Sequence, residues 1–294
     1  RTLKPHPFNF AIRFAAAMSS CAPKIAVGQM SSTNDIEANF AKCREFAQLA
    51  KSKQASLLAL PECFEFMGIP GSGDALTMAE PLTGPLFTRY RELAREFGIW
   101  LSLGGFHESS EDPKRIYNTH AVISSDGNLV AHYHKLHLFD VDVDGGFKES
   151  RSTIPGDEIL VIKNTPVGCL GIATCYDVRF PELFLAMRAA GAQVLFVPSA
   201  FMPTTGKAHW EVLLRARAIE NQCYVVAAAQ HGKHNPKRSS YGHAMIVDPW
   251  GEVVQDLGAG GDGVGVVELD FARMESVRAA MPVAHHHRRE VVEV

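Results

Sequence analysis

Long apolar runs, paired cysteines, surplus charge and internal repeats are all missing from this 294-residue chain. No apolar stretch approaches the roughly 18 residues of a bilayer-crossing helix, so no membrane partner is expected. The six cysteines, Cys21, Cys43, Cys63, Cys169, Cys175 and Cys223, include no Cys-x-x-Cys pair. Scattered through a chain this long, they argue for a reducing compartment such as the cytoplasm and against a disulfide framework or a cysteine zinc site. With 29 basic residues against 32 acidic ones and a net charge of −3, the chain carries no electrostatic footprint for nucleic acid or anionic lipid. No self-similarity at a period of roughly 20–50 residues points to a solenoid or propeller. No linker rich in Pro, Ser or Gly divides the chain either, so residues 24–294 are expected to form a single domain. Acids are missing from the start: the first is Asp35, whereas residues 1–20 carry Arg1, Lys4 and Arg13. Residues 1–23 are therefore expected to be a plain N-terminal extension or an organellar transit segment. In the second case a mitochondrial form would stand beside a cytoplasmic form begun at Met18.

What is present is an alternation of strand and helix patterns. Lys24–Met30 alternates like a strand, and Asn34 with Glu37 reads as a capping box that opens a helix to about Lys51. Ser56–Leu60 is a short apolar strand, Pro85–Phe97 has helical spacing, and Ile99–Leu103 is another buried strand. Ser-Asp-Gly between Tyr117–Ser124 and Leu129–Tyr133 signals a hairpin, as does Asp-Pro-Trp-Gly between His243–Val247 and Glu252–Gln255. Between the hairpins come a strand at Val167–Thr174, a helix at Pro181–Ala190, a strand at Gln193–Val197, a helix at His209–Glu220 and a strand at Tyr224–Ala229. The His209–Glu220 helix is expected to bury Val212, Leu213, Ala216 and Ile219, and to hold one of Arg215 and Arg217 in a buried ion pair. Five glycines in Gly258–Gly265 read as a loop without the strand and helix context of a dinucleotide site. Units of this kind in both halves of the chain suggest an α/β protein of two αββ-like halves, packed sheet on sheet with helices outside.

Three segments place a reactive side chain just past an apolar strand, where sheet proteins build sites. They are Leu57-Leu58-Ala59-Leu60-Pro61-Glu62, then Ala131-His132-Tyr133-His134-Lys135-Leu136-His137-Leu138, and Thr174-Cys175-Tyr176-Asp177-Val178-Arg179-Phe180-Pro181-Glu182. Cys175 lies between a strand and a helix start, a context that lowers a thiol's pKa and leaves it able to attack a carbonyl. Glu, Lys and Cys suit hydrolysis of an amide-like carbon. The carboxylate takes the thiol proton and returns one to the leaving amine, the thiol attacks, and the ammonium neutralises the oxyanion. His132, His134 and His137 sit around the lysine, but no carboxylate spacing completes a metal set.

In that order, Leu60-Pro61-Glu62, His134-Lys135-Leu136-His137-Leu138 and the Cys175–Glu182 run resemble the three signature motifs of the nitrilase superfamily of carbon–nitrogen hydrolases. The similarity covers roughly residues 24–290. It implies a four-layer αββα sandwich, a Glu62–Lys135–Cys175 triad and a second glutamate at Glu149 that helps hold the site. It also implies a homodimer or homotetramer without metal or organic cofactor, and an oxyanion held by Lys135 and the Tyr176 backbone N–H. Pro198 to Glu220 resembles the amidase branch that includes omega-amidases and deaminated glutathione amidases. Gln222–Gln230 and Lys237–His243 look closer to the latter, whereas Leu138–Asp142 is at least as close to the former. The expected function is hydrolysis of a carboxamide on a small dicarboxylate-like molecule. The peptide-like amide of deaminated glutathione leads, and 2-oxoglutaramate or 2-oxosuccinamate is the alternative. A non-catalytic binding or scaffold protein of the same fold is a reading of a different class. Arg179 is expected either to clamp a substrate carboxylate or to pair with Glu182, and Phe201 and Thr205 to line the acyl side. His285-His286-His287 belongs either to a native tail, as the flanking Pro282-Val283 and Arg288-Arg289 resemble, or to a tag.

Overall fold

Parallel neighbouring strands need a long crossover, and this chain supplies helices of matching length. Lys24–Met30 runs through helix Ile36–Ser52 to Leu57–Leu60, and on through Pro85–Phe97 to Trp100–Ser109, each strand pairing parallel with the one before. Gly168–Ile172 does the same through Pro181–Ala189 to Val194–Phe196, and through Pro203–Asn221 to Tyr224–Ala227. The computed structural model describes residues 10–14, 22–143, 146–288 and 291.

Two mixed sheets result. The first runs, in spatial order, Arg238–Tyr241, Ala229–Asn235, Lys24–Met30, Leu57–Leu60, Trp100–Ser109, Ile116–Ile123 and Leu129–His134, with Gly263–Glu268 antiparallel to Lys24–Met30. The second runs Phe10–Phe14, Ile159–Thr165, Gly168–Ile172, Val194–Phe196, Tyr224–Ala227, Met245–Val247 and Val253–Asp256. Because side chains alternate across a strand, the central strands of the first sheet feed two cores. Ile25, Val27, Leu57 and Ala59 join Leu160, Ile162, Leu170 and Ile172 of the second sheet. Ala26, Met30, Leu58 and Leu60 instead meet Phe46 and Ala47 of one helix and Phe87 and Tyr90 of the next. The layers are therefore helix, sheet, sheet, helix, the αββα sandwich expected from the motifs.

Four local expectations change. The cap of the first helix is Asp35, whose Oδ1 accepts from the Ala38 N–H at 3.0 Å. Glu37 then stands one position too early to close a capping box, and it pairs bidentately with Arg89 at 2.6 and 2.7 Å. The helix expected at His209–Glu220 begins at Pro203 and turns its other face inward. Trp210, Leu214, Arg217 and Ala218 are buried, whereas Val212 is 68% and Ile219 46% exposed. The larger side chains take the inner face because their polar tips find partners there: Trp210 Nε1 donates to the His243 carbonyl at 2.8 Å and Arg217 Nε to the Val178 carbonyl at 2.9 Å. Arg217 is the buried arginine, with Glu220 at 2.8 Å, and Arg215 stays half exposed. Of the glycine-rich run, Gly263 and Gly265 lie within a strand; a Cβ on Gly265 would sit 2.5 Å from Gln255 Cγ. Ile159–Thr165, which the periodicity does not single out, is a strand beside Gly168–Ile172. Phe10–Phe14 pairs parallel with it, while residues 1–9 and 15–21 of the extension lie outside the described residues.

One histidine ties the sheets together. His120 is fully buried; its Nε2 lies 2.7 Å from Ser102 Oγ in its own sheet and its Nδ1 3.1 Å from the Ala173 carbonyl beyond the second. Burial, against the hydrogen bond to Ala173, brings its pKa down to about 4. His234, between Ser32 O and Ser240 Oγ, is likewise brought down by burial to about 4. Both folded values lie below the ordinary 6.5, so the unfolded chain binds more protons as pH falls through 6.5 towards 4, and stability drops in that window. Urea unfolding at pH 7 and pH 5 should differ by roughly 2 kcal/mol for each of the two histidines. His107, raised by its pairing with Glu65, acts in the opposite direction but offsets less than about 1 kcal/mol over the same range. Equal stability at the two pH values would contradict the neutral, buried state of these rings.

Candidate active site

The three strand ends converge. Glu62 follows Leu57–Leu60, Lys135 follows Leu129–His134, and Cys175 opens a tight 3₁₀ turn, Cys175–Arg179, after Gly168–Ile172. Cys175 has φ of +50°, a left-handed conformation that costs a non-glycine residue roughly 1–2 kcal/mol. It is held there on both sides. Its N–H donates to the Pro198 carbonyl at 2.9 Å. Two residues on, the fully buried Asp177 carboxylate accepts from Thr174 N–H at 2.9 Å, Tyr133 OH at 2.7 Å and His137 N–H at 3.0 Å, with His137 Nδ1 at 2.8 Å. The His137 ring stacks on Phe180 at 3.6 Å. Asp177 thus fastens the cysteine turn to the lysine segment.

Cys175, Glu62, Lys135 and Glu149 are all buried together. Lys135 Nζ lies 3.0 Å from Glu62 Oε1 and 2.9 Å from Glu149 Oε2. Asn118 Nδ2 bridges the same two carboxylates at 2.9 and 3.2 Å. Glu62 Oε2 accepts the Ala200 N–H at 3.0 Å, and the Cys175 thiol lies close enough to the Glu62 carboxylate to favour its charge. Burial works against the charged form of Glu62, but the Lys135 ammonium, the Arg238 charge and these donors outweigh it and bring the carboxyl down to about 2. For Lys135 burial again opposes the charge, and Glu149 and Glu62 overcome it, raising the ammonium well above its ordinary value. Burial and the neighbouring Glu62 charge push the Cys175 thiol well up, with Lys135 opposing. The resting site is a thiol, two carboxylates and one ammonium. A dry carboxylate beside a thiol can take its proton during attack, and a dry ammonium beside both can hold a developing oxyanion.

The sequence-derived candidates fall into two groups. Tyr176 follows the nucleophile and is half-buried, edge-on to Phe139 at 5.1 Å and Phe180 at 5.5 Å. Arg179 does not pair with Glu182. Its guanidinium lies 3.3 Å from His209 Nδ1 and over the rings of Phe201 at 5.4 Å and Tyr176 at 5.7 Å. Phe201 is buried against Trp210. Thr205 is half-buried in the first turn of the Pro203–Asn221 helix, its hydroxyl 3.4 Å from the Met202 carbonyl. The three histidines of the lysine segment do not converge on a common point, since His134 pairs with Glu108 and His137 with Asp177. Among the described residues no cluster of His, Cys, Asp and Glu could hold a metal ion.

Asn118, the Ala200 amide, Gln230 and Asp177 were not anticipated. Gln230 Nε2 reaches Ser32 Oγ at 2.7 Å and the Glu62 carbonyl at 3.0 Å, fixing the strand end behind the carboxylate. Gly105 leaves room for Asn118, since a Cβ there would stand 2.9 Å from both Asn118 Oδ1 and Glu62 Cγ.

A buried thiol on a strained turn, set beside a carboxylate and a lysine, defines a thiol-dependent hydrolase of carbon–nitrogen bonds on an αββα frame. The chain belongs to the carbon-nitrogen hydrolase family, whose model matches residues 24–279. It is similar to the deaminated glutathione amidase of Homo sapiens, 48% identical over 98% of this chain and 88% of the human protein. It also resembles the crystal structure of the C. elegans NitFhit protein, with a TM-score of 0.85 and 48% identity over 92% of this chain and 66% of that one. A more distant likeness, with a TM-score of 0.77 and 28% identity over 92% of this chain and 95% of the other, is to a mutant amidase from Nesterenkonia sp. AN1. That structure shows covalent addition of the acetamide moiety of fluoroacetamide at its active-site cysteine.

Replacing Asp177 by Ala should cost roughly 3–5 kcal/mol, because several buried donors lose their acceptor at once. Differential scanning calorimetry should show a melting temperature lower by about 10 °C. A change within about 2 °C would mean that the cysteine turn does not depend on Asp177.

Proposed function

We propose that this enzyme hydrolyses the amide of deaminated glutathione to 2-oxoglutarate and cysteinylglycine through a thioester on Cys175. The carrying observation is the close packing of Cys175, Glu62 and Lys135 in a chain nearly half identical to amidases of that name. As Cys175 Sγ bonds to the amide carbon, its proton passes to Glu62 and the carbonyl electron pair becomes an oxyanion, held by Lys135 Nζ and the Tyr176 N–H. Collapse of that intermediate breaks the C–N bond, and Glu62 returns the proton to the leaving amine. A water then loses a proton to Glu62 and adds to the thioester carbon. The second oxyanion collapses with cleavage of the C–S bond, and the thiol takes its proton back.

A carboxyl held at about 2 is a poor base at rest. Its basicity rises during the reaction, because the Lys135 ammonium that depresses it turns part of its field to the new oxyanion. Glu149 and Asn118 keep Lys135 in place through that exchange. On the substrate side, Arg179 pairs with the 2-oxo acid carboxylate, and Phe201 and Thr205 border the acyl chain. The chain associates as a homodimer or homotetramer.

The omega-amidase reading shares all of this chemistry and rests on Leu138–Asp142. Purified enzyme should show a higher kcat/KM for deaminated glutathione than for 2-oxoglutaramate, with product assays for 2-oxoglutarate in both cases; the reverse order would move the substrate to the smaller amide. Cys175→Ala should abolish turnover, and Lys135→Ala should lower kcat by about 100-fold or more. Substantial amide hydrolysis by Cys175→Ala would remove the thioester route altogether.

A further inference from the structure

Arg238 is a cation whose charge reaches Glu62 but which the thioester chemistry does not use. It begins the Arg238–Tyr241 strand and is half-buried. Its charge acts on Glu62, which is already paired with Lys135, and on His234; among the described residues it has no carboxylate within salt-bridge distance. Strand alternation puts Arg238 on the same side as Ser240. Ser240 Oγ meets His234 Nε2 at 2.8 Å, His234 Nδ1 is 2.9 Å from the Ser32 carbonyl, and Ser32 bonds Gln230 behind Glu62. That side of the hairpin is therefore the side of the site.

Phe201 touches both the strand that carries this arginine and Arg179. Tyr241, at the far end of the Arg238 strand, donates its N–H to the Phe201 carbonyl at 2.9 Å, and the Arg179 guanidinium lies 5.4 Å from the Phe201 ring. Ala200, the preceding residue, donates to Glu62. Two guanidinium groups without carboxylate partners among the described residues thus flank the Ala200–Phe201 segment that donates to Glu62, one from the cysteine turn and one from the hairpin strand. Holding a half-buried guanidinium without a counter-ion is costly, and a carboxylate bound bidentately recovers that cost.

We propose that Arg238 determines specificity by binding the terminal carboxylate of the leaving peptide while Arg179 binds the 2-oxo acid carboxylate, so that the site reads a substrate with an anion at each end. The inference rests on the function proposed above. In deaminated glutathione, two residues of extended chain, roughly 7 Å, separate the scissile bond from the terminal carboxylate. 2-Oxoglutaramate, whose leaving group is ammonia, has nothing to offer Arg238.

The test measures kcat and KM for deaminated glutathione, its C-terminal carboxamide analogue and 2-oxoglutaramate, with the wild type, Arg238→Gln and Arg238→Lys. Arg238→Gln should raise KM for deaminated glutathione by about tenfold or more, the loss expected for a charge-assisted hydrogen-bond pair. It should leave KM for 2-oxoglutaramate unchanged, and Arg238→Lys should restore part of the loss. The wild type should bind the carboxamide analogue about as poorly as Arg238→Gln binds the parent, and Arg238→Gln should add little to that defect. Equal KM changes on all three substrates would overturn the assignment. So would a fall in kcat alone that is shared by all three, which would mark Arg238 only as an electrostatic neighbour of Glu62. These results leave the proposed function standing as long as the wild type cleaves deaminated glutathione; failure to cleave it would overturn both.

Discussion

Everything at this site depends on one ammonium group buried between two carboxylates. Lys135 carries one positive charge against the negative charges of Glu62 and Glu149, all three out of water. Burying such a cluster does little for stability, yet removing one member leaves an uncompensated charge and costs several kcal/mol. The surplus negative charge fixes the protonation pattern. A thiolate at Cys175 would add a second, so the thiol keeps its proton, while Glu62 stays ionised because Lys135 touches it. In the proposed mechanism the nucleophile is thus made at the moment of attack, as charge moves from the carboxylate towards an oxygen that the same ammonium can reach.

The sandwich makes this cluster possible because it delivers the three side chains from three strand ends and buries each of them almost completely. The two Glu62 oxygens are held by Lys135, Asn118 and the Ala200 amide, which fixes the carboxylate beside Cys175. The left-handed backbone at Cys175 would relax without the Pro198 and Asp177 contacts that pin its turn. The strain is paid by secondary structure on both sides of the nucleophile, and the result is a thiol aimed at one point instead of a mobile one.

Much of this was legible in the sequence, for identifiable reasons. Strand–helix alternation is written in period and length, so Pro85–Phe97 and the two hairpins lie where their patterns put them. Glu62, Lys135 and Cys175 stand out because each breaks the apolar run before it. Asn118 does not: it sits inside an ordinary strand pattern, and its role exists only once Glu62 and Glu149 arrive from elsewhere. The Ala200 amide has no side-chain signal at all. Asp177 reads as one more polar residue of a turn until Tyr133 and His137, some forty positions earlier, supply its donors. The inner face of Pro203–Asn221 was misjudged because apolar character alone ranks Val212 and Ile219 above Arg217, whereas the packing rewards a long side chain with a satisfied tip. Arg179 and Glu182 are close in sequence, but the guanidinium turns to His209 and Phe201 across the site.

The protonation pattern is the central claim, and thiolate absorbance near 240 nm tests it without a reagent. The spectrum of the wild type minus that of Cys175→Ala, followed from about pH 6 to about pH 8, isolates this thiol from the other cysteines. A difference spectrum without thiolate absorbance at any pH in that range is the result expected of a thiol held protonated by burial and by Glu62. A standing thiolate absorbance across the range, or a step with its midpoint below about pH 8, would show a preformed thiolate, and the account of Glu62 as the group that creates the nucleophile would be wrong.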